Sequence, residues 1–319
     1  MAAEHIIAVN RPGDKGWIQP GSEQHRAMVS PSKVAAILGF SRWQSPYGLW
    51  MEMAGRVDPD PPKDIFAAGH QFENTAAAMW RDDNPGWRLS PDEVQLVIDP
   101  DHFGFPAMVT LDRRAVRGKA RRVVQFKIAR DLGDVEKFGD DLTGECPPDY
   151  ATQVFTEMLF SGFTKHPGHL LVIGPFYTHR TYEIGYDPNT ASGLLAEIRL
   201  FWESLQGNEP PPLDDTAATY QTVRKLHPDI DDGTVVEVAP AVAERVLVLD
   251  NDSKIITAEL RAAKTVLLAA MGNAQTAMCG GIKVADRRPH GRGGVALNLV
   301  TKNVAAIDHH IHNQEGIPA

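Results

Sequence analysis

The stretch Ala107-Met-Val-Thr-Leu-Asp-Arg-Arg-Ala-Val-Arg-Gly-Lys-Ala-Arg-Arg-Val-Val-Gln-Phe-Lys-Ile128 decides the fold class. Ala107–Ala115 and Arg122–Ile128 are rich in β-branched and apolar residues, so each reads as a strand. Charges sit on these apolar strands, Asp112 near the end of the first and Lys127 inside the second. Gln125 and Lys127 are two apart, so their side chains share one face of the sheet. From Thr110 to Arg130 there are eight basic residues and one acid, Asp112.

Working outward, Val94–Ile98 reads as a further strand and Leu170–Ile184 as one or two more. Helices are expected from Ser30, with Pro31 at its first position, and from Pro46 to Ala54. Others are expected over Ile65–Trp80, from Pro147–Pro148 to about Gly162, and over Asn189–Leu205. Residues 58–63 and 130–147 read as loops. Helices and strands in this order specify an α/β core, a central mixed β-sheet flanked by helices. Residues 1–25 read as a loose N-terminal arm and 26–207 as the core. The proline-rich 208–215 reads as a linker and 216–319 as a smaller C-terminal α+β extension. In that extension, Val238–Met271 reads as a long helix broken near Asp250–Ser253. A hairpin is expected around Arg287–Gly294.

The 319 residues are 43 % apolar and 23 % charged, which excludes a wholly disordered chain. No run of about 18 apolar residues is present, so no membrane span is expected. Residues 1–10 lack a basic-then-apolar block, so no signal peptide is expected. Two cysteines, Cys146 and Cys279, exclude a disulfide framework, a zinc ribbon and a four-cysteine iron–sulfur site. A reducing, cytosolic location follows as the simplest reading. The net charge of −9 argues against non-specific nucleic-acid binding by the chain as a whole. The basic run is a local exception of the kind that phosphate-backbone binding requires. It reads equally well as a solvated hairpin.

Asp112 and Lys127 admit two readings. They form a structural ion pair, or they form half of a metal-assisted phosphodiesterase site in which a carboxylate holds a divalent ion and the lysine serves the attacking water. Glu73 lies beside the apolar side of its helix and is the third candidate. Its ordinary alternative is solvent exposure. Tyr150 and Gln153, at i and i+3, share a helix face and are suited to holding a phosphate, a water or the lysine.

In order, the chain shows Arg26, Ser32, Gly39-Phe-Ser-Arg-Trp-Gln-Ser-Pro-Tyr47, Gly69-x-x-x-Glu73, Asp112, Gln125-Phe-Lys127 and Pro148-x-Tyr150-x-x-Gln153. This set resembles the lambda-exonuclease-like, YqaJ-type viral recombinases of the PD-(D/E)xK nuclease superfamily, over residues 26 to about 205. The resemblance implies a restriction-endonuclease-like core and a phage recombination exonuclease. It implies Mg²⁺ or Mn²⁺ dependence and degradation of linear duplex DNA, typically from the 5′ end. It also implies a single-strand annealing protein as partner, a trimeric ring, no membrane association, and action in the cytoplasm of a bacterial host. Carried over by position, Glu73, Asp112, Gln125 and the Phe126 backbone carbonyl would be metal ligands, and Lys127 the motif lysine. Arg26 and Ser32 would meet a terminal 5′ phosphate, with Tyr150, Gln153, Arg113 and Arg114 also contacting DNA. The first turn of a helix at Ser32 agrees with an anion contact there. One departure stands out: the family's motif has Glu or Asp where this chain has Gln125, so the site keeps two carboxylates, Glu73 and Asp112. That leaves open a weakly active or inactive DNA-end-binding protein, as well as an endonuclease on the same fold.

Four further signals carry bland readings. Asp308-His-His-Ile-His312 reads as a disordered tail before a metal site, and Gly291–Gly294 as a hairpin turn before a phosphate cradle. Cys146 has no basic partner at the spacing of a Cys–His enzyme. Trp43, Tyr47 and Trp50 read as core before base-stacking platforms.

Overall fold

The structure, a computed structural model, describes residues 4–59, 64–129, 138–174, 178–290 and 294–315, with the backbone alone for 64–71, 290 and 313–315. The described elements run β1 (Ile6–Asn10), α1 (Glu23–Arg26), α2 (Pro31–Ile37), α3 (Pro46–Met53), α4 (Asp64–Asp83), β2 (Arg88–Leu89) and β3 (Val94–Ile98). Then come α5 (Pro100–Phe103), β4 (Ala107–Leu111), β5 (Arg113–Arg117), β6 (Ala120–Ile128), α6 (Pro148–Ser161), β7 (Gly168–Ile173), β8 (His179–Ile184), α7 (Pro188–Gly207) and α8 (Ala217–Leu226). A second unit, from Asp231, holds α9 (Pro240–Met271), β9 (Thr276–Cys279), β10 (Ile282–His290), β11 (Gly294–Leu299) and α10 (Val304–Glu315).

The central sheet has five strands in the order β2-β5-β6-β7-β8. It is mixed: β6 and β7 are parallel, joined through α6, and the other pairs are antiparallel. One face packs Val124, Phe126, Leu171 and Ile173 against Ala76, Ala77 and Trp80 of α4. The other face packs Val123, Leu170 and Val172 against Val154, Met158 and Leu159 of α6. Gly168 permits this close approach, because a Cβ there would lie 2.6 Å from Val154 Cγ1. A second, antiparallel sheet, β1-β3-β4, completes the same core with Leu96, Ile98, Val109 and Leu111. The α/β class read from the sequence is the observed one.

The stretch Ala107–Ala115, expected as one strand, is two. The chain leaves the three-stranded sheet after Leu111 and enters the five-stranded sheet at Arg113, so Asp112 alone lies at the crossing. Propensity reads an extended backbone here and has no term for a change of partner. The described part of the expected loose arm 1–25, from residue 4, is tied to the core: β1 pairs with β3, and Ile18 is buried. The first unit extends to Ile230, past the Pro210–Pro212 run, because α8 packs on α3, with Thr219 Oγ1 2.6 Å from Ser45 Oγ.

In the second unit, α9 continues unbroken through Asp250–Ser253. The pair β10–β11 forms the expected hairpin, but 291–293, in its Gly291–Gly294 segment, lie outside the described residues, as do 130–137 and 60–63 of the expected loops. Asp308–His312 falls inside α10 and is helical instead of disordered.

Candidate active site

Asp112 is placed by the strand switch. The pair Arg113↔Val124 ends the β5–β6 register, and one residue further along each chain segment come Asp112 and Gln125. Two residues beyond Val124, the Phe126 N–H donates to Asp112 Oδ2 at 2.8 Å. Phe126 therefore meets Asp112 through its amide, a contact the sequence reading did not include.

Glu73 comes from α4, on the opposite side of the sheet from α6. Arg113 is buried, at 3 % exposure. Its Nη1 donates to the Asp112 carbonyl oxygen at 2.6 Å and lies 3.5 Å from Glu73 Oε2; its Nη2 donates to Asn74 Oδ1 at 3.2 Å. The expectation that Arg113 contacts DNA at the surface is therefore corrected: its guanidinium is spent on fixing the two acids relative to each other. Arg114 lies on the other face of β5, half-buried, and its backbone N–H donates to Ser90 Oγ at 3.0 Å.

Helix α6 supplies the remaining groups. Lys127 Nζ lies 5.5 Å from the centre of the Tyr150 ring, and the Arg42 guanidinium lies 5.2 Å from it. Tyr150 also stacks on Phe138 at 6.0 Å, so its ring acts as a platform for two cations. Arg42 Nε is held by Asp149 Oδ2 at 3.1 Å. Gln153 Nε2 donates to Glu157 Oε1 at 2.9 Å. Glu157 is a residue that the sequence reading missed. It has no solvent exposure and lies on the helix flank between Gln153 and the apolar Val154 and Met158. The signal was a lone acid within the apolar Val-Phe-Thr-Glu-Met-Leu-Phe, four residues after a motif glutamine.

The electrostatics centre on Asp112. Burial pushes its carboxyl up to about 6; Lys127 opposes this, Glu73 adds to it, and the Phe126 N–H and Arg113 pull it back. Burial, and then the nearby Asp112, also push Glu157 well above the usual carboxylate range, against the pull of Gln153 and Lys127. Asp112 thus feels Glu73, Glu157, Lys127 and Arg113 together.

The donors fit a hard divalent cation, since all are carboxylate or amide oxygens. Gln125 Oε1, in a residue 3 % exposed, and Glu157 Oε2 are buried with no hydrogen-bond partner among the described residues. No group of three His, Cys, Asp or Glu side chains converges into a ready-made cage among the described residues. Mg²⁺ does not require one, because it binds through one or two carboxylates and completes its shell with waters and phosphate oxygens.

Among the described residues, no hydrogen bond or ion pair joins Arg26 or Ser32 to this cluster. Arg26 lies 3.8 Å from the exposed Asp58, and the exposed Ser32 shares a 3.1 Å hydroxyl contact with Ser30. Between them sits buried Lys33, whose Nζ donates to the carbonyls of His25, Arg26 and Met28 at 2.7–3.1 Å. Burial lowers the Lys33 amine to about 8. Cys146 is pushed up to about 11, first by burial and then by Asp149, so its thiol stays protonated. Trp50 is core, its indole N–H donating to Ser204 Oγ, whereas Trp43 is exposed.

The model of the YqaJ-like viral recombinase domain matches residues 22–164. The matched stretch spans α1 to the end of α6 and so contains Glu73, Asp112, Gln125, Lys127 and Glu157. Among curated proteins, the chain is similar to the uncharacterized protein YqaJ of Bacillus subtilis (strain 168). The two are 21 % identical over 226 residues, covering 70 % of this chain and 67 % of that one. Among solved structures, it is similar to the alkaline exonuclease LHK-Exo of Laribacter hongkongensis, at 15 % identity and a TM-score of 0.45. That likeness covers 57 % of this chain and 90 % of that one.

Proposed function

We propose that this protein is a divalent-metal-dependent exonuclease of phage-type recombination, hydrolysing phosphodiester bonds of linear duplex DNA from the 5′ end. The observation that carries the reading is the meeting of Asp112 and Lys127 on adjoining strands, with buried oxygens of Gln125 and Glu157 left unbonded beside them. A structural ion pair alone gives no reason for those unbonded oxygens. Glu73, Asp112, Gln125 and the Phe126 carbonyl would hold Mg²⁺ or Mn²⁺. When bound, the ion supplies polarisation of a phosphoryl oxygen and a more acidic water. Lys127, held over Tyr150, orients the attacking water and stabilises charge developing on the phosphate. Gln153 fixes Glu157. Arg117, Lys119 and Arg121, exposed or half-exposed around the β5–β6 turn, supply a local positive field for the DNA backbone. Arg26 and Ser32 as 5′-phosphate contacts, a single-strand annealing partner and a trimeric ring belong to the same proposal.

The neutral amide of Gln125 favours a second reading, a DNA-end-binding recombination protein with little turnover. End-labelled linear duplex and closed circular duplex, incubated with Mg²⁺, Mn²⁺ or chelator, separate the two. The proposal expects metal-dependent shortening of the linear substrate alone. Asp112→Asn and Lys127→Ala should each reduce this by about a hundredfold or more. Salt-dependent end binding without shortening would select the second reading, and cutting of the circle would make the protein an endonuclease.

A further inference from the structure

A buried carboxylate is costly unless paired, and a buried amide oxygen is costly unless bonded. Glu157 and Gln125 each carry such an oxygen, Oε2 and Oε1, and both residues are at least nine-tenths buried. Gln153 satisfies only the Oε1 of Glu157. A hydrated cation satisfies both orphans at once. Gln125 lies on β6 beside Asp112, and α6 packs over the face of β6 that carries Gln125 and Lys127. The strand position that would bring a charge brings none, while the helix above it brings a carboxylate.

We propose that Glu157 supplies the negative charge that Gln125 lacks and acts with Asp112 as a carboxylate of the cation site. This rests on the metal-dependent reading above. It assigns to α6 a ligand role as well as the positioning role of Tyr150 and Gln153.

The test is Mn²⁺ titration of the full chain at pH 7.5 without DNA, followed by calorimetry and by the loss of the free-ion electron paramagnetic resonance signal. Glu157→Gln keeps the shape and the Gln153 contact, and it should weaken Mn²⁺ binding about tenfold or more. Gln125→Glu should strengthen binding by less than about threefold in the parent, yet recover about tenfold or more in Glu157→Gln, because the two positions share one role. Equal gains in both backgrounds would overturn the inference, as would unchanged binding in Glu157→Gln. Asp112→Asn separates the failures. If it abolishes binding while Glu157→Gln does not weaken it, only the inference falls; if it leaves binding intact, the proposed site falls as well. Melting in chelator reports folding. Should Glu157→Gln not fold, Gln125→Glu alone decides, and a gain above about tenfold over the parent would overturn the inference.

Discussion

Phe126 donates its backbone N–H to the side chain of Asp112, 14 residues earlier, at 2.8 Å. The acid is held at the one residue where the chain passes between two sheets, so its carboxyl is oriented by β6 just past the last pair of the β5–β6 register. Reach and orientation are thereby set by backbone, which is stiffer than any side-chain contact.

This placement has a pH consequence. The folded Asp112 holds its proton up to about 6, whereas an unfolded aspartate releases it near its ordinary value of 3.8. Between those values the folded chain binds more protons, so this group's contribution to stability falls as pH rises through the window. The burial penalty is complete above about 6. Cation binding needs the ionised form, so Mn²⁺ affinity should drop about tenfold per pH unit below 6. Calorimetry from pH 5 to 8 would show it, and a flat profile would remove Asp112 from the site.

Arg113 should prove structural. Arg113→Met removes the bonds to the Asp112 carbonyl, Glu73 and Asn74, leaving a buried carbonyl and an acid without this cation, and should cost about 1–3 kcal/mol in urea unfolding. Arg113→Lys should recover only part of this, since an ammonium cannot reproduce the fork.

Lys33 gives a second pH-linked test. Lys33→Met leaves three carbonyls without their donor and should destabilise by about 1–3 kcal/mol. The folded amine titrates near 8 and the unfolded one at its ordinary value of 10.5, so between them the unfolded chain binds more protons. The parent's stability relative to Lys33→Met should therefore grow from pH 8 towards 10.5, as denaturant melts at the two ends would record.

The exposed turn of the β5–β6 hairpin should read the phosphate backbone without reading sequence. Lys119→Ala should weaken duplex binding uniformly across sequences and reduce the slope of log affinity against log salt by about one. An unchanged slope would return the run to an ordinary solvated hairpin.

Much of the fold was legible because its signals are local. The apolar runs 94–98, 107–111 and 122–128, the Ser-Pro start of α2 and the stripe Val154, Phe155, Met158 and Leu159 each follow from the period of one element. Glu73, Asp112, Gln125 and Lys127 stood out as polar residues on apolar elements or through their order along the chain. What stayed hidden is relational. Arg113 and Arg117 have the same chemistry and sit on the same strand, yet one is buried under acids and the other exposed. Glu157 looked like one more helical glutamate until α6 was laid on β6.

The sequence by itself determined the elements, the α/β class and the candidate acids, because periodicity and residue type act within a few residues. Only the tertiary structure decided that Asp112 marks a passage between two sheets, that Arg113 ties Asp112 to Glu73, and that Glu157 is buried where Asp112 raises its carboxyl. Those facts depend on which strand pairs with which and which helix face is covered, and burial then sets the energy of each charge.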